Sequence, residues 1–111
     1  MRRIALALAT LLGTSCAYVV NPSTEHVVTD VLRPPFSGDV RVSMEGAPLT
    51  SDYDEVAIVT ATGWNTGATL EAVIAALQDE TRKVGGNAVI RVRYDRGAYN
   101  ATATGVAVWF R

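Results

Sequence analysis

The groups in this sequence with chemistry to offer are few. They are one cysteine (Cys16), one histidine (His26), three carboxylates within four positions (Asp52, Asp54, Glu55) and three closely spaced arginines (Arg91, Arg93, Arg96). Nucleophilic catalysis needs a nucleophile, a base and an orienting group that converge. Here the only imidazole sits in a proline-punctuated stretch, and the only thiol directly follows an apolar leader. Transition-metal sites want several Cys or His ligands at fixed spacing, so neither a metal nor a cofactor is expected. The acidic trio has the residue types for acid–base work or for holding a hard cation. It lacks calcium-loop spacing and reads as a solvated loop leading into a strand. Gly63 and Gly67 precede a predicted helix, but the lysine of a phosphate loop is missing, so they read as a connecting turn. No enzymatic activity is expected.

What remains is recognition chemistry. Arg91, Arg93 and Arg96, with Tyr94 and Tyr99 among them, have the composition to contact an acidic partner, lipid headgroups or a polyanionic glycan. The plainer reading is the wet face of a sheet, partly neutralised by Asp95. Trp64, in a predicted loop, is a candidate partner anchor, whereas Trp109 near the end reads as core or rim packing. Ten basic residues face eleven acidic ones. Without Arg2 and Arg3 eight remain, and the net charge falls from -1 to near -3. Nucleic-acid binding, which requires clustered phosphate-neutralising cations, is excluded on that ground.

The amino-terminal segment carries an address. Met1-Arg2-Arg3 is a short cationic stretch, and residues 4–12 are an almost unbroken apolar run of nine. That length suits a secretory signal, which needs about 7 to 15, and is too short to span a bilayer, which takes about 20. Small residues follow, and Leu11-Leu12-Gly13-Thr14-Ser15-Cys16-Ala17 resembles a bacterial lipobox, although Gly13 occupies the usual leucine position three before the cysteine. A lone cysteine in an exported chain has no internal disulfide partner. Cys16 is therefore expected to carry the acyl anchor, the alternatives being an intermolecular bridge or removal with the signal. Each buried CH₂ of such an anchor contributes about 0.8 kcal/mol to membrane attachment. In lipoproteins, Asp after the cysteine favours inner-membrane retention. Ala17 is not Asp, which points to the outer membrane, facing the periplasm, with the soluble periplasm as the alternative.

The expected organisation is a signal peptide over residues 1–15, a lipidated cysteine and tether over 16–37, and a small α+β domain over 38–111. Within the tether Pro22, Pro34 and Pro35 favour extended backbone, and the valines of 26–32 suit a short edge strand. Val40, Val42 and Met44 alternate against Asp39, Arg41 and Ser43, the period of a half-buried strand. Residues 55–62 form a second, β-branched strand. Leu70, Val73, Ile74, Leu77, Thr81 and Val84 fall on one helical stripe, with Thr69 placed to cap and Gly85-Gly86 to stop a helix over 70–84. Ile90, Val92 and Tyr94 alternate against Arg91, Arg93 and Asp95. Along 102–110 the residues Thr102, Thr104, Val106, Val108 and Phe110 alternate against small ones. The order is ββαββ, with one amphipathic helix packed on a mainly antiparallel sheet.

Residues 77–90 (Leu77-Gln78-Asp79-Glu80-Thr81-Arg82-Lys83-Val84-Gly85-Gly86-Asn87-Ala88-Val89-Ile90), then Val92-Arg93-Tyr94-Asp95 and Ala103-Thr104-Gly105-Val106-Ala107-Val108, resemble the YbjQ-like small bacterial domains and their lipoprotein relatives. In these a helix ends in a Leu-Gly-Ala-Asn-Ala-Val type of turn that feeds a strand, and the last strand reads Gly-x-Ala-Val. Asp54-Glu55-Val56-Ala57-Ile58-Val59 suits the strand before the helix. A sensor lipoprotein of the Rcs stress phosphorelay has a distantly similar domain, but that domain is stapled by disulfides, and the single cysteine here leaves no basis for carrying over a sensor role. Some members of the family are labelled as heavy-metal-binding, which the lone His26 does not support. The resemblance implies the fold and no site.

The expected function is that of a non-enzymatic cell-envelope lipoprotein acting as a binding or assembly module. Its partners would be the membrane, through the acyl chains, and an envelope protein or a second copy of itself. A soluble periplasmic module for a small ligand or ion is the alternative.

Overall fold

The computed structural model describes residues 21–29 and 33–111. The leader and Cys16 lie outside them. In chain order the elements are β1 (Ser23–Val28), β2 (Arg41–Met44), β3 (Tyr53–Trp64), a 3₁₀ turn at Asn65–Gly67, α1 (Leu70–Lys83), β4 (Ala88–Arg96) and β5 (Asn100–Phe110). The strands form one sheet in the order β1-β3-β5-β4-β2. Three of the four pairings are antiparallel, and β2 joins β4 in parallel. The molecule is an α+β fold with one helix on a mostly antiparallel sheet. The sheet reaches back to Ser23, because the β-branched run before residue 29 finds a free edge on β3.

Helix α1 forms where the periodicity places it. The Thr69 hydroxyl accepts from the Ala72 amide at 3.2 Å, satisfying one of the orphan donors of the first turn. At the other end Gly85 adopts φ +87°. Its amide donates to Arg82 and that of Gly86 to Thr81, the paired bonds of a Schellman stop. Val73, Leu77, Thr81 and Val84 are buried. Leu70, expected on the same stripe, is 45% exposed. Val73 already lies over Gly63 near the end of β3, so a residue one turn earlier overhangs the sheet.

Beneath the helix, β5 offers Ala101, Ala103, Gly105 and Ala107, and these small side chains let α1 approach closely. Asn87 binds this layer to the chain end. Its Oδ1 accepts from the Phe110 amide at 2.8 Å and its Nδ2 donates to the Phe110 carbonyl at 3.2 Å. The Gly-Gly-Asn turn is thus structural: it stops a helix and supplies strand-like hydrogen bonds. A second, smaller apolar group of Ala88, Ile90 and Val108 lies on the opposite face, covered by Leu49, Tyr53 and Phe110. No helix among the described residues is long and apolar enough to cross a membrane.

Candidate functional site

Among the described residues, the side of the sheet away from α1 is covered only at the end where Leu49 and Tyr53 pack. Along β3 the residues alternate, with Val59 and Ala61 in the core and Ile58, Thr60, Thr62 and Trp64 on the other side. Strand register extends this bare face in rows. Val27, Ile58, Val106 and Ile90 align in one row, whose Ile90 end is already buried under the Leu49 and Tyr53 cover. Glu25, Thr60, Thr104 and Arg93 align in the next, and Ser23, Thr62, Thr102 and Asp95 in the third. Trp64 pairs with Asn100 beyond them. The hydroxyls of Thr62 and Thr102 are 3.5 Å apart. Val27 is 67%, Ile58 45% and Trp64 44% exposed. The face is therefore a flat array of β-branched side chains with apolar groups at two ends and one charge at either side of its middle row.

The three arginines do not form one patch. A bulge between Ile90 and Arg93 places Arg91 at φ +53°, a left-handed conformation that non-glycine residues adopt at a cost. The expected alternation of Ile90, Val92 and Tyr94 breaks there. Ile90 joins Val108 on the far face, whereas Val92 and Tyr94 pack under the helix. Arg93 in consequence projects from the bare face, where its Nε lies 3.6 Å from Asp95 Oδ2. Arg96 pairs with Ala101, on the helix side of the β4–β5 hairpin. Arg91 lines a shallow polar recess with Leu49, Ser51, Asp52, Tyr53 and Arg111, and its Nη2 donates to Tyr53 Oη at 3.3 Å. Of the residues singled out from sequence, the fold brings Trp64 and Arg93 onto one surface and sends Arg91 and Arg96 elsewhere. Cys16 is outside the described residues.

Among the described residues, the acidic and imidazole groups singled out from sequence lie apart, each with its own partner. Arg111 holds Asp54 in a bidentate pair, and the hydrogen bond from its guanidinium keeps the Asp54 carboxyl below the usual range against slight desolvation. Among the described residues no three His, Cys, Asp or Glu side chains gather closely enough to hold a metal ion. His26 reaches around the sheet edge to α1 instead. Its Nδ1 is 3.0 Å from Glu80 Oε2. Glu80 is only 5% exposed, and Lys83 Nζ stands 3.5 Å from its other oxygen. Burial pushes the Glu80 carboxyl up, but the hydrogen bond from His26 and the charge of Lys83 outweigh it, and the net direction is down. Sequence reasoning missed this inward Glu80. A signal was present in its spacing, since position 80 is i+7 from Val73 and i+3 from Leu77, on the buried stripe.

Trp109 packs as expected for a rim residue. It meets Phe36 edge-to-face at 5.6 Å between ring centroids and carries the Arg33 guanidinium 4.7 Å above its ring. Comparison of the chain with protein-family models, with curated proteins and with solved structures finds no match.

Proposed function

We propose that the chain is a non-enzymatic lipoprotein of the bacterial cell envelope, acylated at Cys16, that works as a binding or assembly module through the bare face of its sheet. One observation carries this reading: α1 covers one face of the sheet, while the other keeps Val27, Ile58 and Trp64 exposed around a threonine array. A solvated sheet face ordinarily alternates into charged and polar side chains. Apolar and aromatic groups with few charges are the composition of a contact surface. The cationic and apolar leader ending at Cys16 supports export and anchoring, and Ala17 supports the outer membrane. The resemblance to YbjQ-like lipoproteins is part of the same proposal.

Cell fractionation with mass spectrometry tests the anchor. Wild-type protein is expected in the membrane fraction with an acylated amino-terminal cysteine, and Cys16→Ser is expected to lose both. A membrane-bound Cys16→Ser variant, or a wild type without acyl mass, overturns the lipoprotein reading. A photoreactive residue replacing Trp64 tests the surface, with a protein adduct as the expected result. The recess beside Arg91 and Arg111 favours one second reading, a soluble periplasmic module for a small anionic ligand. Release of mature protein without acylation, together with anion-dependent thermal stabilisation lost in Arg91→Ser, would select it.

A further inference from the structure

We infer that the bare sheet face closes on the same face of a second copy of this chain, with Glu25 of each copy set against Arg93 of the other. The inference rests on the proposed reading of that face as a contact surface and names its occupant. Four strands in the order β1-β3-β5-β4 present the face, so its midline runs between β3 and β5. Stack two such faces about a two-fold axis that lies between them and parallels the strands. The operation reverses strand order but preserves height along the strands. Consequently β1 lies over β4 of the other copy and β3 over β5, and every row meets itself reversed.

Each row is complementary to its own reversal. In the row Glu25-Thr60-Thr104-Arg93 an anion falls on a cation at both edges, with threonine on threonine between. In the next row Asp95 falls on Ser23, a hydroxyl, and Thr62 on Thr102. In the first row Ile58 falls on Val106, apolar on apolar, and Val27 comes to lie over the apolar cover that already buries Ile90. No row sets like charges together. An arbitrary foreign partner would not require the face to carry opposite charges at mirrored positions, whereas a self-paired face does.

Packed sheets cross at about 30°. The edge rows lie about 7 Å from the midline, one and a half strand spacings, so crossing displaces them by about 4 Å. Arginine and glutamate side chains span that offset. Arg93 is free to do so, because its contact with Asp95 is exposed on both sides, at 69% and 70%, and such pairs hold weakly.

The test uses the full chain extracted in nonionic detergent, with protein mass followed by sedimentation equilibrium. A dimer is expected. Glu25→Arg and Arg93→Glu should each weaken it about 10-fold or more by juxtaposing like charges, and the combined reversal should restore it to within a few-fold of wild type. Since both side chains are exposed, thermal midpoints of the single variants should stay near wild type when all are measured at concentrations dilute enough to be monomeric. A short bis-maleimide, which bridges facing sheets that a disulfide cannot, should link two chains of a combined Glu25→Cys and Arg93→Cys variant, and neither single cysteine should. A monomer, a dimer indifferent to both reversals, or a combined reversal no better than its parents overturns the inference. A monomeric chain whose Trp64 photoadduct is a different protein removes self-pairing and keeps the binding-module reading; a monomer without an adduct removes both.

Discussion

His26, on the outermost strand, and Glu80, buried on the helix, are 54 residues apart in the chain and 3.0 Å apart in the fold. Their contact pins the free edge of the sheet to the only helix among the described residues. An ionised carboxylate can only accept, so the imidazole Nδ1 carries the proton. Removing the donor leaves an inward carboxylate with Lys83 alone. His26→Ala should therefore lower stability by about 1 to 3 kcal/mol, read as a shift in the urea midpoint at unchanged slope. If the double variant with Glu80→Gln loses as much as the two single changes added together, the two residues are not coupled.

The same pair sets a pH dependence. The folded Glu80 carboxyl is held below its ordinary value of 4.5. A carboxylate with a depressed folded pKa stabilises the fold fully above its unfolded value. That contribution disappears as pH falls through the lower folded value. Wild type should consequently lose more stability between pH 6 and acid below about 4 than Glu80→Gln does. Urea titrations at both pH values measure the difference, and equal losses would show that Glu80 gives no such linkage.

Gly105 marks the close fit between β5 and the bulged strand. A Cβ there would stand 2.6 Å from Val89 Cγ2, 3.1 Å from Val92 Cγ2 and 3.2 Å from the Ile90 carbonyl. Two of these neighbours are fully buried valines with no room to withdraw. Gly105→Ala should cost about 1 to 3 kcal/mol, measured as a lower thermal midpoint. At Gly46, where an added Cβ meets nothing within 4 Å, alanine should cost only the strain of φ +88°, about 1 kcal/mol.

Arg91 offers a test of backbone strain. At φ +53° glycine is at ease and a β-branched residue is not. Arg91→Gly should leave stability within about 1 kcal/mol of wild type, since relieved strain offsets added chain entropy. Arg91→Val should be clearly less stable by the same chemical-denaturation measurement. Equal stabilities would mean that the bulge is not left-handed in solution.

Features legible along the chain were those governed by neighbours within a few residues. The span of α1 follows from a 3.6-residue period, the Thr69 cap and the Gly85 stop, because helix hydrogen bonds and caps are local. The two faces of β5, alanine and glycine against threonine and valine, follow from strict alternation. The α+β class follows from the number and order of such elements. Pairing between distant segments decided the rest. It put β2 parallel to β4 and docked β1 on β3. The bulge at Arg91 sent Arg93 and Arg91 to separate places. The spacing of Glu80 puts it on the buried stripe, but its partner His26 arrives from a strand that sequence spacing cannot locate. The threonine rows with Glu25 and Arg93 at their edges exist only across strand register, and register depends on which strands become neighbours.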